Sequence, residues 1–224
     1  KGGAQIIKAP DTAPGKRKQK AKMNLPNRLT VLRLIMVPVF IAVMVLPDSV
    51  VPALVTGIIG AFLFITAAVT DMLDGKIARK YGLITDFGKL MDPLADKFMV
   101  IGALTVIVYR YDMLRPVFIW ALLVVVFREL AVTSLRLVAS TSGGVVVPAN
   151  MLGKIKTVSQ IVCVSAAIIE PMLYEIPFLR DFLPGWWTAH VPLTYITCAA
   201  MTLFTVLSGV NYFRAMWKYL DPGK

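Results

Sequence analysis

Histidine is almost absent from this chain of 224 residues, which holds only His190. Imidazole-based catalysis and imidazole metal ligation therefore have almost nothing to draw on. Cysteine is nearly as scarce. Cys163 and Cys198 both fall inside apolar runs without metal-ligand spacing, and read as small buried hydrophobes rather than a disulfide. Acid is short too, at 13 Asp and Glu against 24 Lys and Arg, a formal charge of +11. The basic residues are not interleaved with aromatics along a soluble module, so no nucleic-acid partner is expected. Residues 1–22 have no apolar core, so no secretory signal peptide is evident, and no internal repeat is found. This Lys-, Pro- and Gly-rich stretch reads as a flexible basic tail or an appended segment, with Met23 a candidate natural start.

What the chain has is hydrocarbon. It is 57% hydrophobic with a mean hydropathy of +0.71, beyond the range of ordinary soluble domains. Six apolar segments run over about 30–46, 50–69, 90–108, 116–138, 155–174 and 191–212. Each is near the ~20 residues that span hydrocarbon, and in lipid the backbone must bond to itself, which makes them helices. The expected fold is all-α: a polytopic membrane domain over 23–224 with six transmembrane helices. With the N-terminus inside, only Arg110, Arg115 and Arg180 of the 24 basic residues fall in outer loops. That asymmetry places both termini, the 70–97 segment and the 139–154 connection in the cytoplasm. Trp120, Trp186, Trp187 and Trp217 lie near helix ends, as interfacial aromatics do, and His190 is expected in the same outer loop.

Against this background, Asp71, Asp74, Asp92 and Asp96 stand within 26 residues. A carboxylate at the bilayer centre costs roughly 2.5–3.5 kcal/mol even on a lenient scale, so four together call for a positive partner. On a helix, Asp71, Asp74, Gly75, Ala78 and Arg79 share one stripe. Gly75 and Ala78 leave a shallow gap, and Arg79 stands at its edge as a phosphate clamp. Asp92 and Asp96, four apart, form a second stripe with Gly88 and Thr85 one and two turns earlier. Hard oxygen donors select Mg²⁺, Mn²⁺ or Ca²⁺ over zinc. Pro93 leaves two readings open: Asp92 caps a helix beginning at Pro93, or the helix is kinked there. Asp86, a fifth acid, is expected to be solvated or to support the others.

The run Asp71-x2-Asp74-Gly75-x2-Ala78-Arg79-x8-Gly88-x3-Asp92-x3-Asp96 resembles the CDP-alcohol phosphotransferase signature at each fixed position. The resemblance covers about residues 23–220. It implies that Asp71, Asp74, Asp92 and Asp96 hold two Mg²⁺ (or Mn²⁺) ions, with Asp96 also the base toward the acceptor hydroxyl. It implies contacts to the CDP-lipid from Asp74, Gly75, Arg79 and Thr85, and from Asn27, Arg28, Leu29 and Thr30 before the first helix. It also implies a homodimer. The implied chemistry is in-line attack of an alcohol on the β-phosphorus of a CDP-lipid, with CMP leaving. No Ser, Cys or His is placed for a covalent intermediate.

Looser similarities lie in NLPNRLTVLRL, FRELAVTSLRLVA and MLGKIKT, which resemble the branch that makes phosphatidylglycerophosphate. They imply CDP-diacylglycerol as donor, glycerol 3-phosphate as acceptor and a bacterial-type cell membrane as the location. Arg128, Arg136, Lys154 and Lys156 are the candidate acceptor-phosphate residues, with Glu129 a partner for one arginine. Anchoring to lipid headgroups is the competing reading of these cations. Rival functions are the same fold with phosphatidylglycerol, serine or inositol phosphate as acceptor, an intramembrane prenyltransferase, or an ion or solute transporter. A prenyltransferase normally puts its acids on well-separated helices, unlike these.

Overall fold

The computed structural model describes residues 24–82, 85–143 and 151–217. Eight helices run through them: α1 Leu25–Val45, α2 Ala53–Tyr81, α3 Asp86–Arg110, α4 Arg115–Gly143, α5 Met151–Leu173, α6 Pro177–Phe182, α7 Gly185–His190 and α8 Pro192–Met216. No strand occurs among the described residues. The basic tail of residues 1–22 lies outside them.

The long helices follow the apolar segments but overrun them. α1 begins before Thr30 because Pro26 suits a first helical turn, where its missing N–H is no loss. α2 continues unbroken through the aspartates to Tyr81. Of the two readings at Pro93, the cap at Asp92 is excluded, because α3 already runs through that residue. Thr85 caps α3, its Oγ1 accepting from the Gly88 N–H at 3.1 Å, and Pro93 sits inside. Asp92 is thus an interior helical residue, not a cap. The region around Trp186 and His190 is also not a simple loop, since α6 and α7 occupy it and His190 ends α7.

Five helices, α1, α2, α4, α5 and α8, are long and apolar enough to cross a membrane. α3 has the length, at 25 residues, but Asp92, Asp96 and Lys97 interrupt its apolar character. The helices close a ring in the order α1–α2–α5–α8–α4–α3, with α3 also touching α5 across the middle. Inside the ring lie Val37, Phe40 and Met44, Phe64, Met99, Leu104 and Ile107, Phe118, Cys163, Ile168 and Met201. Outside are large apolar side chains such as Ile58, Phe62, Trp120, Leu123 and Phe127. Water would reject that exterior, whereas lipid accepts it. Two glycines set the spacing. A Cβ on Gly60 would come within 2.3 Å of Met44 Sδ, and one on Gly57 within 2.7 Å of Met172 Cγ.

Length puts the acids at one edge. Asp71 lies eighteen residues after Ala53, and Asp92 eighteen before Arg110. At 1.5 Å per residue each is about 27 Å from the far end of its helix, close to the ~30 Å hydrocarbon thickness.

The far end is tied by polar clamps. Arg110 donates to the Met44 and Leu46 carbonyls at 3.1 and 2.9 Å, and to Asp48 and Thr56 at 2.6 and 2.8 Å. It thereby closes the α1–α2 turn. The N-cap position of α8 is Val191, whose φ of 38° and apolar side chain leave the helix without a side-chain cap of its own. Buried Glu170 of α5 supplies one. It accepts from Leu193 N at 3.2 Å, Thr194 N at 2.6 Å, Thr194 Oγ1 at 2.7 Å and Tyr174 Oη at 2.7 Å. A carboxylate there also complements the helix dipole. Glu170→Ala should lower unfolding free energy by about 1–3 kcal/mol by stranding those donors. Denaturant titration in detergent reads the loss, and the activity of the folded fraction should stay within about twofold of wild type, since the change is remote from the aspartates.

Candidate active site

α1 presents a buried stripe to the aspartate end. Asn27, Thr30 and Arg33 are spaced three apart and are 8, 1 and 0% exposed. Further along, the same stripe becomes Val37, Phe40 and Met44 in the core. Its polar half grips the two aspartate helices. Arg33 extends Nη1 to Asp71 Oδ1 and Nη2 to Asp74 Oδ2. Thr30 Oγ1 donates to Asp92 Oδ1 at 2.6 Å, and Thr85 Oγ1 donates to Asn27 Oδ1 at 2.9 Å. Gly88 permits this closeness, because a Cβ there would sit 3.2 Å from Asn27 Oδ1.

Beside these lies a cavity of about 600 Å³ between α2, α3, α4, α5 and α8. Asp71 and Asp96 form part of one wall. Arg128, Arg136, Lys154 and Lys156 line the rest with Glu129, Lys97, Thr133 and Tyr212. Glu129 pairs with Arg128 Nη1 at 2.9 Å and with Lys156 Nζ. Arg128 also donates to Ser208 Oγ at 2.8 Å. Arg136 gives Nε and Nη2 to Tyr212 Oη at 3.0 and 2.7 Å and lies over that ring. Lys97 reaches Thr133 Oγ1. A separate apolar groove of about 440 Å³ runs between α4 and α8 and shares Arg128 and Val132 with the polar cavity.

The four aspartates therefore gather at one end. The donor set is all carboxylate oxygen, which fits a hard divalent cation. Asp96 Oδ1 is buried without a hydrogen-bond partner, as an oxygen awaiting a cation or proton would be. Among the described residues, however, no three acidic side chains converge closely enough to form a ligand cluster. Asp71 and Asp74 meet Arg33 instead.

The other expected site residues divide. The four acceptor-side cations share one cavity, with Lys156 buried and Lys154 exposed at the rim. Asn27 and Thr30 turn inward to Thr85 and Asp92, while Arg28 is exposed and Leu29 half-buried. Gly75 lies on α2 between the acids and Tyr81. The side chains of Arg79 and Asp86 lie outside the described residues.

Sequence reading missed Arg33, Lys97, Thr133, Ser208 and Tyr212. A lone arginine inside the first apolar segment was a usable signal, because an intramembrane cation needs a partner. Lys97 stands next to Asp96 and was also visible. Nothing local marks Tyr212, which reaches Arg136 only through the α4–α8 packing.

Comparison with known proteins bears on the family of the chain. The family model for CDP-alcohol phosphatidyltransferase matches residues 23–207. A Bacillus subtilis protein named CDP-diacylglycerol–glycerol-3-phosphate 3-phosphatidyltransferase is 40% identical over 206 residues, covering 88% of this chain and 97% of the relative. A Mycobacterium tuberculosis protein named probable phosphatidylglycerophosphate synthase is 36% identical, over 84% of this chain and 79% of its own length. A Rickettsia typhi protein with the same name as the Bacillus one is 34% identical, over 88% and 98%. With the signature on α2 and α3 and a family match over most of its length, the chain belongs to the CDP-alcohol phosphatidyltransferase family.

Proposed function

We propose that this enzyme transfers the phosphatidyl group of CDP-diacylglycerol to glycerol 3-phosphate, giving phosphatidylglycerophosphate and CMP. One observation carries the reading: Asp71 and Asp96 share a cavity with four cations suited to a small phosphorylated acceptor. The names of the relatives support the same donor and acceptor. The α4–α8 groove supports a lipid substrate by giving a hydrocarbon chain an apolar seat next to the cavity.

In this reading the acceptor phosphate lies among Arg128, Arg136, Lys154 and Lys156. The acceptor hydroxyl faces Asp96, which takes its proton as the oxygen attacks the β-phosphorus. The bond to CMP breaks on the opposite side of that phosphorus. Asn27, Arg28, Leu29, Thr30, Asp74, Gly75, Arg79 and Thr85 surround the CDP portion. Asp71, Asp74, Asp92 and Asp96 would hold two Mg²⁺ or Mn²⁺ ions. Bound there, such ions supply charge neutralisation for the diphosphate.

The membrane arrangement belongs to the same proposal. α3 is the sixth span, because its charged half joins the site rather than facing lipid. The scarcity of basic residues at the Arg110 end supports an aspartate end and both termini in the cytoplasm of a bacterial-type cell. Residues 23–224 form the catalytic domain, working as a homodimer on the strength of family resemblance.

Asp96→Asn should retain CDP-diacylglycerol binding and lower kcat by about 10²–10⁴-fold, the usual value of a general base. A variant with undiminished CMP release removes Asp96 from that role. Chelation should abolish turnover, and Mg²⁺ or Mn²⁺ should restore it; full activity after exhaustive chelation refutes metal dependence.

Arg136→Gln should raise KM for glycerol 3-phosphate about tenfold or more, as losing a charge-assisted hydrogen bond does, and leave KM for the donor nearly unchanged. A panel of acceptors assayed by CMP release checks the assignment. Preference for phosphatidylglycerol, serine or inositol phosphate over glycerol 3-phosphate would reassign the acceptor within the same fold.

A further inference from the structure

Arg33 is outside the aspartate signature and 38 residues before its first acid. Among the described residues it is nevertheless the most enclosed charge, at 0% exposure, and it touches two of the four acids. Its two Nη atoms go to different carboxylates, one oxygen each, while its Nε has no partner. A planar fork bonded this way fixes the separation and tilt of Asp71 and Asp74.

We propose that Arg33 is a positioning residue for the metal ligands. It holds Asp71 and Asp74 by one oxygen apiece, so that the carboxylates keep a set orientation toward an incoming divalent ion. The inference rests on the metal-assisted reading above. Three features of the structure support it.

The first is geometry. Asp71 and Asp74 are three apart on one helix face, and the two Nη atoms of a single guanidinium reach both. A lysine offers a point charge and cannot hold two carboxylates in one plane. The second is the company Arg33 keeps. Thr30, one turn earlier on α1, takes an oxygen of Asp92 at 2.6 Å. α1 thus grips three of the four acids, and does so from buried positions. The third is contrast with Arg110. That residue is also largely enclosed, but it closes the α1–α2 turn through backbone carbonyls and touches no signature acid.

Charge alone gives a different expectation from positioning. If Arg33 served only to neutralise the acids, removing it would make the site more negative and tighten divalent-ion binding. Arg33→Lys would then behave as wild type. If Arg33 positions the ligands, both variants bind metal more weakly, and the lysine fails to rescue.

The test is Mn²⁺ binding to detergent-purified full-length protein, followed by electron paramagnetic resonance without lipid or acceptor. Wild type, Arg33→Lys, Arg33→Gln, Thr30→Val and, as a control, Arg110→Lys are compared. Arg33→Lys and Arg33→Gln should each weaken Mn²⁺ by about 10- to 100-fold, as loss of a ligand-orienting group does. Thr30→Val should weaken it less, and Arg110→Lys should leave it unchanged. Unchanged or tighter Mn²⁺ binding in Arg33→Lys overturns the proposal, as does full rescue by lysine. Should Arg33→Gln fail to fold, Arg33→Lys keeps the buried charge and carries the test alone. Wild-type protein that binds no Mn²⁺ overturns both this proposal and the metal assignment. Mn²⁺ weakening as expected, with no incorporation of glycerol 3-phosphate by wild type, counts against the acceptor assignment alone.

Discussion

Ionised groups inside a lipid-facing bundle persist only when each finds an opposite charge or a set of hydrogen-bond donors. The aspartate end is arranged around that demand, with Asp96 Oδ1 left open. Arg33 meets Asp71 and Asp74, Thr30 meets Asp92, and Glu129 meets Arg128 and Lys156. Removing one member of a buried pair costs about 3–5 kcal/mol because its partner is left stranded, so these contacts hold helices together as well as charges. α1 and α3 meet through the Thr30 bond, α4 and α5 through Glu129, and α4 and α8 through Arg128–Ser208 and Arg136–Tyr212. The polar network and the helix ring are therefore a single construction. The apolar interior fills the middle, and charge pairing closes one end.

Helix length explains why the charged end is tolerated. α2 carries its acids about 27 Å along its axis, near the edge of a hydrocarbon layer about 30 Å thick. α3 approaches from the opposite direction and places Asp92 at a matching height. Because the two helices run antiparallel, one pair of acids follows an apolar run and the other precedes one. The signature spacing thus encodes a level in the membrane as well as a ligand set. A helix of ordinary globular length could not bring its last turns to that level.

Much of this was legible in the chain. The length and apolarity of the runs revealed the long helices, because lipid permits little else, and the fixed spacing of Asp71 through Asp96 revealed the acids and their family. What escaped notice depends on tertiary contact. α6 and α7 are six residues each, too short to carry a periodic signal. Thr85 rather than Asp92 caps α3, and the helix runs on through Pro93, its eighth residue, although a proline there gives up the backbone bond to the carbonyl four residues earlier. The bonds of Thr85 to Asn27 and of Thr30 to Asp92 depend on how α1 crosses α3. The Arg33 fork and the Arg136–Tyr212 pair join residues 38 and 76 apart; a lone arginine in an apolar run signals that a partner exists but not which one, and nothing local marks Tyr212.

The cation cluster shows how one acid can divide a group of like charges by role. Arg128 and Lys156 both lean on Glu129, so part of their charge is already answered before any substrate arrives. Arg136 leans on Tyr212, a neutral phenol that accepts its hydrogen bonds without cancelling its charge. Lys154 stands exposed at the rim. A phosphate entering the cavity thus meets less compensated cations at Lys154 and at Arg136 and Lys97, whose partners Tyr212 and Thr133 carry no negative charge, than at the Arg128–Lys156 pair on Glu129. Without Glu129, Arg128 and Lys156 would repel one another in a low-dielectric setting and splay apart, enlarging the pocket. The glutamate lowers the total attraction for an anion while keeping the cations close enough to surround a small one. That exchange of strength for shape suits a small phosphorylated acceptor, and it follows from the order Arg128–Glu129 on α4 facing Lys156 on α5.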